Sequence, residues 1–148
     1  MERGRQRSEL TKLLEAAFFF EAPASRVFEA LTEPELLLKW FLTRAELEPR
    51  AGGKYSFEWN NGYALKGRIS RYRKNRALAY TFGSKDDIVS FELSRRGKGT
   101  LITIRDGLTD PDSLASRAGH WAYYLMNLKS VLENGKDLRS KLDWEGID

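Results

Sequence analysis

The chain has 148 residues, 41% hydrophobic and 31% charged, which suits a single domain able to bury a core without staples. It has no cysteine and one histidine, His120, which excludes disulfides, thiolate metal sites and cysteine nucleophiles and leaves a multi-histidine metal cage without ligands. The net charge, 25 − 21 = +4, is too modest to mark a nucleic-acid binder, and the longest apolar run, Ala16 to Phe20, is far too short to span a bilayer.

Residues 1–11 open on Met1-Glu2-Arg3-Gly4-Arg5-Gln6-Arg7 and read as a mobile basic arm on a cytoplasmic protein, since no long apolar run or small-residue cleavage site follows. A single domain is expected over 12–139, with a tail over 140–148. Its first element is a strand, Leu13 to Glu21. Ala22-Pro23 then starts a short helix, where a first-turn proline is tolerated, with Val27, Phe28 and Leu31 as its apolar stripe. Thr32-Glu33-Pro34-Glu35 has the spacing of a capping box and predicts a second short helix carrying Leu36 to Leu38, Trp40 and Phe41.

From Lys54 onward the pattern alternates with a period of two, the signal of half-buried strands. Tyr55, Phe57 and Trp59 share one face. Tyr63, Leu65, Gly67 and Ile69 share the next, followed by Leu78, Tyr80 and Phe82, then Val89, Phe91 and Leu93. Thr100 to Arg105 is apolar on both faces. Short turns join these runs, so the strands form an antiparallel meander. Gly67 inside its strand predicts a bend or bulge. After the meander, Asp110-Pro111-Asp112 predicts the start of a long helix to about Leu138, with Leu114, Ala118, Trp121, Leu125, Leu128 and Leu132 along one stripe. Laying that helix across a curved sheet buries both apolar faces at once. The fold class is therefore α+β.

Several residue groups invite a chemical reading. Asp106, Asp110 and Asp112 are spaced loosely like metal ligands, but a calcium loop needs more oxygens and a closing Glu. Asp110 and Asp112 fit better as helix-start carboxylates near free amides, and Asp86-Asp87 fits a polar hairpin turn. The glycines form no phosphate-cradling motif at a strand-to-helix junction. His120 is a candidate acid–base group, or simply a partly exposed helix histidine. In a meander, alternate turns share one end of the sheet. Pro49-Arg50, Arg73-Lys74-Asn75-Arg76 and Arg95-Arg96-Gly97-Lys98 should therefore form a basic rim, opposite Asn60-Asn61 and Ser84-Lys85-Asp86-Asp87. Such a rim either guards hairpin tips against aggregation or attracts an acidic partner.

Phe20-Glu21-Ala22-Pro23-Ala24-Ser25-Arg26-Val27-Phe28-Glu29-Ala30-Leu31-Thr32-Glu33-Pro34 resembles the opening motif of domains similar to the activator of the ninety-kDa heat-shock protein ATPase. These belong to the START-related, helix-grip superfamily. Trp40-Phe41, Pro49-Arg50-Ala51-Gly52-Gly53-Lys54-Tyr55 and Gly99-Thr100-Leu101-Ile102-Thr103-Ile104 extend the match. Trp121-Ala122-Tyr123-Tyr124-Leu125 through Asn127-Leu128-Lys129-Ser130-Val131-Leu132-Glu133 is similar to the family's closing helix. The family usually places Gly directly before the helix Trp, whereas here His120 stands there.

The resemblance implies a helix-grip fold, a curved antiparallel sheet with two short helices and a long C-terminal helix packed across it. It also implies a cavity between sheet and long helix for apolar or aromatic molecules; from the residues themselves no metal and no cofactor are expected. The candidate walls are Trp40, Phe41, Tyr55, Phe57, Trp59, Leu65, Tyr80, Phe82, Phe91, Trp121 and Leu125. Alternation alone does not separate wall from core, because large rings fill an ordinary core equally well. The leading expectation is a non-enzymatic binding module for a small hydrophobic or aromatic molecule. The alternatives are a heat-shock chaperone partner in a stress response, acting through its surface, and a cyclase-like enzyme. No nucleic-acid partner and no membrane span are expected.

Overall fold

Strand β1 (Lys12–Phe20) leads into helix α1 (Ala24–Thr32) and the one-turn α2 (Pro34–Leu37). Six strands follow: β2 (Arg44–Leu47), β3 (Lys54–Glu58), β4 (Ala64–Arg73), β5 (Ala77–Thr81), β6 (Ile88–Arg96) and β7 (Gly99–Leu108). The last element is the long helix α3 (Leu114–Asn134). This is the arrangement in the computed structural model of the chain, which describes residues 12–82, 87–108 and 114–139. The expected arm, tail and helix start at Asp110-Pro111-Asp112 lie outside the described residues, as do Ser84, Lys85 and Asp86.

The strands make one seven-stranded antiparallel sheet in the order β1-β7-β6-β5-β4-β3-β2. Sequential pairing from β2 to β7 is the expected meander, and β1 completes it by pairing with the last strand, Phe20 opposite Thr100. Period-two alternation sends one set of side chains inward. Tyr55, Phe57, Tyr80, Val89, Phe91, Ile102 and Ile104 are each no more than 3% exposed. Trp121, Leu125 and Leu128 on α3 close over them, spaced four and three residues apart so that they share one helix face. On the solvent face an ion-pair ladder joins β4 to β1 through Arg71, Glu92, Arg105 and Glu15. The three turns predicted to form a basic rim fall at one end of the sheet.

Local chemistry departs from the sequence expectation at several places. Thr32 is not a capping residue: its hydroxyl donates back to the Phe28 carbonyl at 2.8 Å, and Glu33 caps α2 with no side-chain bond. Pro34 explains this, because a following proline pushes residue 33 into extended geometry and ends α1 there. The second helix is also shorter than expected, so Trp40 and Phe41 sit in the turns after it, with the Phe41 and Leu42 N–H groups still bonded to the Leu37 carbonyl. Tyr63 lies ahead of β4 in the tight turn from Trp59 and is 53% exposed rather than inward.

Helix α3 ends at Asn134, short of Leu138, because Gly135 takes a left-handed conformation at φ +71°. The released chain is then held by Asn127. This fully buried amide accepts from the Leu138 N–H at 2.6 Å and donates to the Trp40 carbonyl at 2.9 Å and to Asp137 at 3.0 Å. Arg139 adds bonds to the Leu38 and Leu42 carbonyls, fastening the end of the domain to the segment that carries Trp40 and Phe41. Gly67 does more than bend β4, whose register shift falls further on, between Ile69 and Arg71. It lies opposite Tyr55, and a Cβ there would sit 2.8 Å from that ring and 2.2 Å from Thr81 Oγ1. Its missing side chain lets the Tyr55 ring cross β4 and donate its hydroxyl to the Thr81 carbonyl. Burial there pushes the Tyr55 hydroxyl up to about 12.

Candidate aromatic pocket under the long helix

The end of the sheet opposite the basic rim carries the turn from Trp59 to Tyr63 and the exit of β5 at Phe82. Helix α3 brings Ser116, Arg117, His120, Trp121 and Tyr124 to this end, and Phe41 reaches it from the turn after α2. Together with Trp59, Asn61, Tyr63 and Phe82 they enclose a hollow of about 360 Å³. That volume lies within the range of small-molecule sites. Six aromatic rings line it, and they support one another. Phe41 lies 5.4 Å from Trp59, 5.7 Å from Trp121 and 5.0 Å from Tyr124, while Trp121 lies 5.8 Å from Phe82.

A buried charge cluster stands behind this wall. Asp106 on β7 and Asp87 just before β6 project from the same face, because Val89 pairs with Asp106 and Asp87 lies two residues away. Arg117 reaches in from α3 and donates to both, at 2.6 Å to Asp106 Oδ2 and 2.7 Å to Asp87 Oδ2. The Trp121 indole N–H also donates to Asp106 Oδ2, at 3.1 Å. The other carboxylate oxygen of each aspartate is buried without a hydrogen-bond partner. Burial, together with a hydrogen bond to the Asp87 carboxyl, raises the Asp106 carboxyl above its ordinary range against the opposing bonds from Arg117 and Trp121. On its other side the Arg117 guanidinium lies 5.0 Å from the centre of the Phe82 ring, a cation–π contact at the pocket wall.

The structure divides the sequence-derived candidates. Phe41, Trp59, Phe82 and Trp121 line the hollow. Trp40, Phe57, Tyr80, Phe91 and Leu125 instead pack in the buried core, Tyr55 belongs to that core and also borders a separate groove with Gly67 and Arg68, and Leu65 is a partly buried neighbour of the core. Trp40 is placed there by its own chemistry, since its indole N–H donates to the Ala30 carbonyl at 2.8 Å and its ring stacks on Phe41. The candidate walls did not include Asn61, Tyr63, Ser116, Arg117 and Tyr124, which also line the hollow. Ser116, His120 and Tyr124 follow one another at helical spacing, as do Arg117 and Trp121, a signal that could have found the helix residues but not Asn61 or Tyr63. Asp87 is a correction: it is a buried partner of Arg117, not a solvated turn residue. His120 is exposed at the pocket mouth. Asp106 is tied to Arg117 and Trp121, and no cluster of His, Asp and Glu among the described residues could hold a metal ion. No helix among them is long and apolar enough to cross a membrane.

A curved antiparallel sheet, two short helices and a long helix laid over an aromatic hollow define a helix-grip domain. The chain belongs to the Activator of Hsp90 ATPase homolog 1-like protein family, whose model matches residues 21–133. No curated protein matches the chain. Solved structures share its fold. The protein SSP2350 of Staphylococcus saprophyticus superimposes with a TM-score of 0.76 at 22% identity, over 86% of this chain and 96% of that one. The Aha1 dimer of Colwellia psychrerythraea gives 0.77 at 20% identity, over 84% and 98%. CalU16 of Micromonospora echinospora gives 0.68 at 24% identity, over 84% and 77%.

Proposed function

We propose that the protein is a binding module that seats a small apolar or aromatic molecule between α3 and the open end of its sheet. The observation that carries this reading is the hollow of about 360 Å³ walled by Phe41, Trp59, Phe82 and Trp121, between the long helix and the open end of the sheet. Binding is favoured over catalysis because both terminal nitrogens of Arg117 are engaged by carboxylates and both aspartates lie behind the wall. His120 is the one histidine available to a cyclase-like reaction, and it stands exposed at the mouth. Thermal shift against flavonoids, fatty acids and polyketide-like aromatics tests the reading. A ligand at a hundred times its Kd adds about 2.7 kcal/mol, or a rise of about 5–10 °C in a domain of this size. Trp59 and Trp121 fluorescence should change with the same compounds. If no compound moves either signal, the reading fails.

A second reading rests on the basic rim. The turns bearing Arg73, Lys74 and Arg76 and Arg96 and Lys98 are adjacent, at the end of the sheet away from the pocket. Family membership makes an Hsp90-type chaperone the partner to try, with charge steering the encounter. Stimulation of that chaperone's ATPase should weaken steeply as salt rises. A salt-independent effect, or none, would sink this reading while leaving the pocket untouched.

A further inference from the structure

A recess of about 220 Å³ lies on the solvent face of the sheet, near the basic rim. Strand pairing explains it. Arg71 and Arg73 of β4 stand opposite Ala79 and Ala77 of β5. Ala77 stands opposite Glu92 of β6, which in turn pairs with Thr103 of β7. By the period of two these side chains share one face with Ser94, two places beyond Glu92. Here β5 offers that face only two methyl groups, so a trough runs along it between the longer side chains of β4 and β6. The Leu93 N–H, bonded to the Arg76 carbonyl at 2.8 Å, fastens the turn residue Arg76 to the same trough.

Charge in this trough is unevenly matched. Arg71, Arg73 and Arg76 line it against a single carboxylate, Glu92. Glu92 shares a cross-strand row with Arg73, yet it turns to the next row, accepting from Arg105 at 2.9 Å and Arg71 at 3.4 Å. Arg73 and Arg76 are left without an ion pair, and the Ser94 and Thr103 hydroxyls without a hydrogen bond, among the described residues. No Asp or Glu occurs between Arg73 and Arg76 or between Arg95 and Lys98, so the two adjoining turns add only positive charge. We propose that the trough binds a phosphate group carried by a small soluble molecule, with Arg73 and Arg76 as its cationic partners and Ser94 and Thr103 as hydroxyl donors. This site is separate from the aromatic hollow and does not depend on it. Guanidinium forks match pairs of phosphate oxygens, and hydroxyls rotate to donate to the remaining ones. The recess has room for a phosphate-sized group rather than a larger apolar ligand, which would find only the Ala77 methyl group and the Leu93 residue there. A lipid headgroup carries the same chemistry, but a trough sunk between two strands suits a soluble ester better than the plane of a bilayer.

The test is an NMR titration of isotope-labelled protein with pyrophosphate, at an ionic strength held constant with chloride. The amides of Ala77, Ser94 and Thr103 should shift along one saturable curve, while those of Trp59 and Tyr124 at the aromatic hollow stay in place. Arg73→Gln and Arg76→Gln should each weaken binding about tenfold. Arg73→Lys keeps the charge but loses the fork, and should weaken it several-fold. Lys74→Gln removes a rim charge outside the trough and should change affinity by less than about twofold. All four substitutions fall on exposed side chains, so folding should be retained, which thermal melting checks. Absent or non-saturable shifts overturn the proposal. So do equal losses in Arg73→Gln and Lys74→Gln, which reduce the trough to diffuse rim charge. A second arm uses phosphatidylcholine vesicles with and without phosphatidic acid. Pelleting that requires phosphatidic acid and that pyrophosphate does not compete away overturns the assignment to a soluble phosphate.

Discussion

Replacing Trp121 by Phe tests whether the buried charge cluster fixes the pocket wall. Trp121 is 4% exposed, lies between Phe41, Phe82 and Phe91, and donates its indole N–H to Asp106 at 3.1 Å. Phenylalanine keeps a six-membered ring against those neighbours but removes the donor and the rest of the indole. A hydrogen bond to a charged group contributes about 1.5–3 kcal/mol, and the lost ring atoms about 1 kcal/mol more. Trp121→Phe should therefore destabilise by about 2–4 kcal/mol, with each kcal/mol lowering Tm by about 2–4 °C. Urea titration measures this as a lower midpoint at unchanged slope. The decisive measurement repeats the substitution in an Asp106→Asn background. The acceptor there is neutral and its bond worth only about 0.5–1.5 kcal/mol, so the same change should destabilise by about 1 kcal/mol less. Equal losses in the two backgrounds, within about 0.5 kcal/mol, would refute a charge-assisted bond from Trp121 and reduce it to a packed ring.

Burial lifts the folded pKa of Asp106 above the ordinary 3.8, so the folded protein holds that proton more tightly than the unfolded chain does. The associated stabilisation is complete below the ordinary value and is lost as pH rises through the raised one. Wild-type stability relative to Asp106→Asn should fall across that window by up to about 1.4 kcal/mol per pH unit; a flat or rising difference in a pH series of urea titrations contradicts the assignment. Asn127→Ala leaves the Trp40 carbonyl and the Leu138 N–H without their partner and should lower stability by about 2–4 kcal/mol, whereas a loss near zero would mean water replaces the amide. Gly67→Ala drives a methyl into Thr81 and the Tyr55 ring and should destabilise by about 1–3 kcal/mol, measured by thermal melting; a neutral result would show that β4 yields there.

The fold was legible because its signals are local. Period-two alternation in Tyr55-Ser56-Phe57 and helical spacing from Trp121 to Leu128 each belong to one element, and short turns leave a meander few alternatives. The basic rim was legible for the same reason, since turn parity in a meander fixes which tips are neighbours. Pocket and core were not separable by these means. Tyr55 and Trp59 occupy the same face of the same strand register, yet one crosses β4 at Gly67 and the other borders the hollow. Alternation says which way a ring points and nothing about what stands opposite it. That depends on the rotation of α3 and on how far the turn at Phe41 reaches.

The charge cluster lies beyond any sequence rule of this kind. Asp87, Asp106 and Arg117 come from the start of one strand, another strand and a helix, and each alone reads as a solvated charge. Only strand register aligns the two aspartates, and only the docking of α3 delivers the guanidinium between them. Asn127 is the same case, a polar residue near the helix stripe whose partners lie 10, 11 and 87 positions away. The sequence alone determined the elements, their order and the class of fold, because hydrophobic periodicity acts within an element. The tertiary structure decided where the interior stays hollow and which buried charges meet, because those depend on contacts between elements that no local pattern encodes.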